Sequence, residues 1–98
     1  MALYAITYTY SDDVEAVTAA KPEHRAHLRS LNEQGILIAS GPLEGEGPAD
    51  ALIVVNADDA EGAAALSDAD PIYIAGLVTE RHVQLWNVVI GGVGGAAE

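Results

Sequence analysis

Ala2-Leu3-Tyr4-Ala5-Ile6-Thr7-Tyr8-Thr9-Tyr10 alternates with period two, setting Tyr4, Ile6, Tyr8 and Tyr10 on one side and Leu3, Ala5, Thr7 and Thr9 on the other. Aromatic and β-branched residues in that rhythm predict a strand with one face for a core. Ser11-Asp12-Asp13 ends it. Val14 to Ala20 reads as a short helical turn before Lys21-Pro22, and Pro22 fits the first turn of a main helix running to about Gln34, with Gly35 as its C-terminal cap. Ile36 to Ala39 is a second strand stopped by Ser40-Gly41-Pro42, and Leu43 to Asp50 is a polar, glycine-rich hairpin connection. Ala51 to Ala57 is a continuous apolar third strand. Asp58 or Asp59 caps a second helix through about Leu66, with Glu61 near its positive end. Ser67 to Gly76 reads as a loop, and Thr79 to Ile90 contains the last strand, where Val83, Leu85 and Asn87 alternate against Gln84, Trp86 and Val88.

The order βαββαβ predicts an α+β fold: a ferredoxin-like sandwich with a four-stranded antiparallel sheet and both helices on one face. Two helices cover only that face, yet Ala51 to Val55 is apolar at consecutive positions and Trp86 and Val88 lie on the parity opposite Val83 and Leu85. An apolar face left open marks an association surface, so a homodimer packing sheet on sheet is expected. Residues 1–90 read as one domain, and Gly91 to Glu98 as a flexible glycine-rich tail.

Composition narrows the function classes. The chain has 98 residues and is half apolar, which suits a single core. It has no cysteine, hence no disulfide, thiol nucleophile or thiolate metal site. The N-terminus lacks a positively charged leader pattern and no apolar run suits a membrane span, so a soluble cytoplasmic protein is expected. Fifteen acidic against four basic residues give a formal charge of -11, which disfavours nucleic acid and anionic membrane surfaces as partners.

Within the main helix, Glu23-His24-Arg25-Ala26-His27-Leu28-Arg29-Ser30-Leu31 sets His24, His27, Leu28 and Leu31 on one stripe. Imidazoles facing the interior require a hydrogen-bond partner, and Asp70 of Asp70-Pro71 is the best candidate. Two histidines and an aspartate are compatible with a metal, but the spacing of four with an adjacent glutamate that marks helical zinc sites is absent. A hydrogen-bonded pair with no metal and no cofactor is the more economical reading.

The pattern His27-Leu28 with Leu31, then Gly35, Ser40-Gly41-Pro42-Leu43, Asp70-Pro71, Ala75-Gly76-Leu77 and Trp86 resembles the YciI-like family, the YCII-related domain. The match covers nearly the whole chain. It implies a dimeric α+β barrel and an active site pairing a helix histidine with the aspartate of the Asp-Pro motif, here His27 and Asp70. Two positions depart from the pattern: Ile72 follows Pro71 where an aromatic is usual, and His24 stands where arginine is frequent.

An aspartate that accepts a hydrogen bond from one imidazole nitrogen fixes the tautomer and aims the other lone pair outward, which makes a general base. No nucleophile motif accompanies it. Proton abstraction, elimination or isomerisation on a small organic acid or phenolic compound is therefore favoured over acyl transfer, and the resemblance adds lactone isomerases and dehydrochlorinases as the reaction class. The alternative is a noncatalytic ligand-binding or interaction dimer in which the pair is structural. His24, Ser40, Gly41, Pro42 and Tyr8 are candidate substrate-binding residues around the pair. His82 reads as surface, and Asp12, Asp13, Asp58 and Asp59 as turn and cap residues.

Overall fold

The computed structural model describes residues 2–93. Its elements are β1 (Ala2–Tyr10), α1 (Val14–Glu33), β2 (Leu37–Pro42), β3 (Ala51–Ala57), α2 (Ala60–Asp68), α3 (Pro71–Ile74) and β4 (Val78–Leu85). The strands form one antiparallel sheet in the order β2-β3-β1-β4, the ferredoxin-like arrangement. The expected tail at 91–98 falls, from residue 94 onward, outside the described residues.

The period-two pattern of β1 sorts its side chains as read. Tyr4, Ile6 and Tyr8 join Ile53 and Val55 of β3 in a core closed by Val17, Leu28 and Leu31 of α1, Ala63 of α2 and Ile72 of α3. Leu3 and Val54 are also buried but lie outside that cluster, on the opposite face of the sheet.

Three local readings are corrected. First, α1 is a single helix of 20 residues with Pro22 inside it, rather than a short turn followed by a helix that Pro22 opens. The start is set by Asp13, whose side chain accepts from the Ala16 amide at 3.2 Å. Proline withdraws one amide from the ladder, and burial of Val17, His24, Leu28 and Leu31 along one stripe offsets that loss. At the other end Gly35, at φ 76°, adopts the left-handed conformation. Its amide bonds to Asn32 and that of Ile36 to Leu31, a Schellman closure.

Second, β2 runs through Ser40-Gly41-Pro42 instead of stopping there. It is an edge strand, bonded only to β3, and an edge tolerates a residue without an amide proton. Third, the stretch read as a loop contains α3. Asp70 caps it, Pro71 occupies its first position, and Gly76 closes it at φ 76°. Asp59 caps α2 as expected, accepting from the Gly62 amide at 2.7 Å.

Pro22 is exposed and sits in the ninth position of α1, beyond the first turn that tolerates proline. Pro22→Ala therefore restores an i to i−4 hydrogen bond and should stabilise the fold by about 1 to 2 kcal/mol, after allowing for the looser unfolded chain. Urea denaturation measures this; an unchanged or lower midpoint would show that the ring is needed at that position.

Candidate active site

Asp70 is the most deeply placed charged residue, with 0% exposure. Three donors satisfy it. Its Oδ1 accepts from the Ile72 amide at 3.2 Å, the capping bond of α3. Its Oδ2 accepts from Nδ1 of His24 at 2.7 Å and from the Tyr8 hydroxyl at 3.0 Å. With an amide donating to Oδ1 and a phenol to Oδ2, the contact with Nδ1 of His24 is assigned as a third donation to the carboxylate.

This corrects the pairing expected from sequence. Asp70 holds His24, not His27. His27 lies at the edge of the buried stripe, half-buried, and its Nε2–H donates to the Leu66 carbonyl at 2.9 Å. The buried residues of α1 are Val17, His24, Leu28 and Leu31, at spacings of seven, four and three, so His24 is at the stripe's centre and His27 about 60° off it. The two imidazoles use their hydrogen bonds in different places. Among the described residues no three metal-ligating side chains cluster.

Tyr8 is also relocated. Instead of lining a ligand cavity, it is fully buried, with its hydroxyl shared between Asp70 and Ser67 Oγ at 2.9 Å. Because the Tyr8 proton goes to Asp70, the Ser67 hydroxyl donates to the Tyr8 oxygen. Arg81 Nη1 in turn donates to Ser67 Oγ at 3.1 Å and to Asp68 Oδ1 at 2.6 Å, with its guanidinium 4.3 Å from the centre of the Tyr73 ring. Arg81, Ser67 and Tyr8 thus form a line of donors ending on the carboxylate that holds His24. Sequence reading missed Ser67 and Arg81, since nothing local distinguishes a helix-end serine or a strand arginine.

His24 is the member of the pair that reaches open space. It lines a cleft of about 560 Å³ bounded by α1, the end of β1, β2 and the start of β3. Ser40, Gly41 and Pro42 line the same cleft, as do Lys21, Arg25 and Asp50. With Nδ1–H given to Asp70, the ring presents Nε2 as its remaining lone pair. Nε2 has no protein partner, yet no buried side-chain nitrogen or oxygen among the described residues is unsatisfied, so Nε2 is open to the cleft. His82 is exposed beside Glu80, away from this site.

Two phenols register the buried charge. Burial raises the Tyr8 pKa well above its ordinary value; the Ser67 bond opposes this and Asp70 reinforces it. Burial, then Asp70 and Asp50, push Tyr10 up to about 12, with Arg25 pulling the other way.

The chain belongs to the YCII-related domain family, whose model matches residues 2–87. Among solved structures it is similar to 5-chloro-2-hydroxyhydroquinone dehydrochlorinase from Burkholderia phenoliruptrix AC1100, in complex with 2,5-dihydroxybenzoquinone. That similarity has a TM-score of 0.67 and 19% identity, covering 87% of this chain and 93% of that one. It is also similar to MtbAldR, at a TM-score of 0.55 and 14% identity, covering 99% of this chain and 59% of the other. At those identities the likeness is one of fold. No curated protein matches the chain.

Two outcomes follow from the site. Proton–nitrogen NMR of the imidazoles should find neutral His24 protonated at Nδ1 and neutral His27 at Nε2, and Asp70→Asn should move the His24 signals while leaving those of His27 in place. The opposite pattern would restore the pairing with His27. The phenols predict alkaline behaviour. They keep protons in the folded chain above 10.0, where an unfolded tyrosine has released its own, so their contribution to stability is complete below that value and is lost as pH rises through the folded values, about 12 for Tyr10. The urea midpoint should fall over that interval, and less steeply in Tyr8→Phe.

Proposed function

We propose that this chain is a small-molecule enzyme in which Nε2 of His24 is a general base, oriented and electrostatically supported by Asp70, that removes a proton from a small organic acid, lactone or phenolic compound in an elimination or isomerisation. The observation that carries it is the 2.7 Å bond from Nδ1 of His24 to a carboxylate with no exposure, behind a ring that opens on a cleft. A buried carboxylate favours the imidazolium formed when Nε2 takes up a proton, and the Tyr8 and Ile72 bonds hold it still. The dehydrochlorinase acts on a chlorinated hydroxyhydroquinone, and loss of hydrogen chloride from such a ring includes the proton removal proposed here.

The assembly belongs to the same reading. The core lies on the Tyr4, Ile6 and Tyr8 face of the sheet; the other face carries Leu3, Leu52 and Val54, and Trp86, Val89 and Ile90 are exposed past β4. A second copy packed sheet on sheet would cover these groups, so the working form is a homodimer, in the cytoplasm. Light scattering at micromolar concentration should give a dimer, and Trp86→Glu should give monomer or aggregate. A monodisperse wild-type monomer would remove the dimer from this proposal.

Proton abstraction is measurable before the physiological substrate is known. Incubation in heavy water with a panel of hydroxylated aromatics and lactones, read by NMR, should reveal catalysed deuterium incorporation into at least one compound. His24→Ala should lower that rate by about a hundredfold or more. Asp70→Ala should do the same, and the double variant should be no slower than either single one, because the pair acts as a unit. His27→Ala should stay within a few-fold of wild type. Exchange that survives in His24→Ala would leave the pair structural and favour the noncatalytic ligand-binding dimer.

A further inference from the structure

The four lysines and arginines of this acidic chain are not evenly spread. Lys21, Arg25, Arg29 and Arg81 face fifteen carboxylates in the sequence, yet two of the four, Lys21 and Arg25, line the single cleft that His24 opens on. Among the described residues Asp50 is the only acidic one that lines it. The cleft wall therefore carries two positive side chains against one carboxylate, with the Asp70 carboxylate behind His24, within a molecule of formal charge -11. Asp50 is itself engaged, its Oδ2 accepting from the Tyr10 amide at 2.8 Å.

Lys21 and Arg25 are four residues apart on α1, so their side chains leave the same helix face one turn apart, and His24 lies between them in sequence. Neither makes an ion pair among the described residues. Arg29, the other unpaired cation, is exposed outside the cleft, and Arg81 is bonded to Asp68 and Ser67. The amino group of Lys21 stands 6.0 Å from the centre of the Tyr10 ring, which lines the same cleft. Beyond these charges the wall combines Ser11, Thr18 and Ser40 with an apolar stretch that includes Val17, Leu28, Leu43 and Ile53. Unpaired cations beside hydrocarbon suit a ligand with an acid group at one end and a carbon skeleton at the other.

We propose that the cleft binds a small organic carboxylate, with Lys21 and Arg25 holding the carboxylate and the carbon skeleton lying on the apolar wall against His24. To call that carboxylate a substrate rests on the base assignment above; its binding does not. The carboxylate sits at the α1 side, since Asp50 repels it from the opposite end. Lys21 and Arg25 offer an anion two local partners within a chain whose overall field is negative.

Benzoate and its neutral isostere benzamide test this on the isotopically labelled full chain, by chemical-shift titration. Benzoate should saturably shift the amides of Lys21, His24, Arg25 and Ser40, and benzamide should bind at least about tenfold more weakly, as expected for loss of two partly exposed charge contacts. The Lys21→Gln, Arg25→Gln double variant should reduce benzoate to the benzamide level, while Lys21→Arg retains the preference. Should the double variant fail to fold, Arg25→Gln alone and the wild-type comparison carry the test. His24→Gln should abolish deuterium exchange yet keep the preference for benzoate, so a failed base and a failed anion site give different results. The proposal is overturned if benzoate leaves the cleft resonances unmoved, if benzamide binds equally well, or if the glutamine variants bind benzoate like wild type. Inorganic phosphate competing at lower concentration than benzoate would also overturn it, since a bare anion site needs no apolar wall.

Discussion

A carboxylate with no access to water has to be satisfied by the protein, and much of this molecule is arranged around that requirement at Asp70. Its donors come from β1 through Tyr8, from α1 through His24 and from the first turn of α3 through Ile72. Behind Tyr8, Ser67 at the end of α2 and Arg81 of β4 extend the line. One side chain thus ties together three helices and two strands. Removing any one donor leaves the rest intact but costs about 1 to 3 kcal/mol for the acceptor left short, more where the acceptor is charged. A local demand for hydrogen bonds has become a condition on the packing of the whole helical layer.

The same requirement fixes which end of an imidazole faces the cleft. With Nδ1–H committed to Asp70, the ring cannot turn without breaking a buried bond to a charge, so Nε2 is held toward the opening. Alternation along β1 places Tyr8 on the core side, and the left-handed glycine at 76 turns the chain from α3 back into β4. The edge position of β2 lets Ser40, Gly41 and Pro42 continue as strand and form a cleft wall. Buried charge, helix cap and sheet edge each solve a backbone problem, and together they leave one open nitrogen beside two unpaired cations.

What sequence alone determined were the features governed by local physics. Period-two alternation placed β1 and its core face, the apolar run placed β3, Asp59 and Gly35 marked helix ends, and the order of elements set the ferredoxin-like topology. Asp70 stood out because a polar stripe on a helix needs an acceptor elsewhere. The signals for α3 were also present, aspartate before proline and glycine six residues on, but at one turn's length they read equally well as a loop. Only tertiary structure decided which histidine Asp70 takes, because His24 and His27 differ by about 60° on the helix and the angle at which α1 crosses the sheet chooses between them. It also decided that Pro22 lies inside a helix, where burial of one face outweighs one missing bond, and that Tyr8, Ser67 and Arg81, up to 73 positions apart in a chain of 98 residues, meet in a single line. Contacts between elements depend on packing geometry, and no periodicity within one element encodes that.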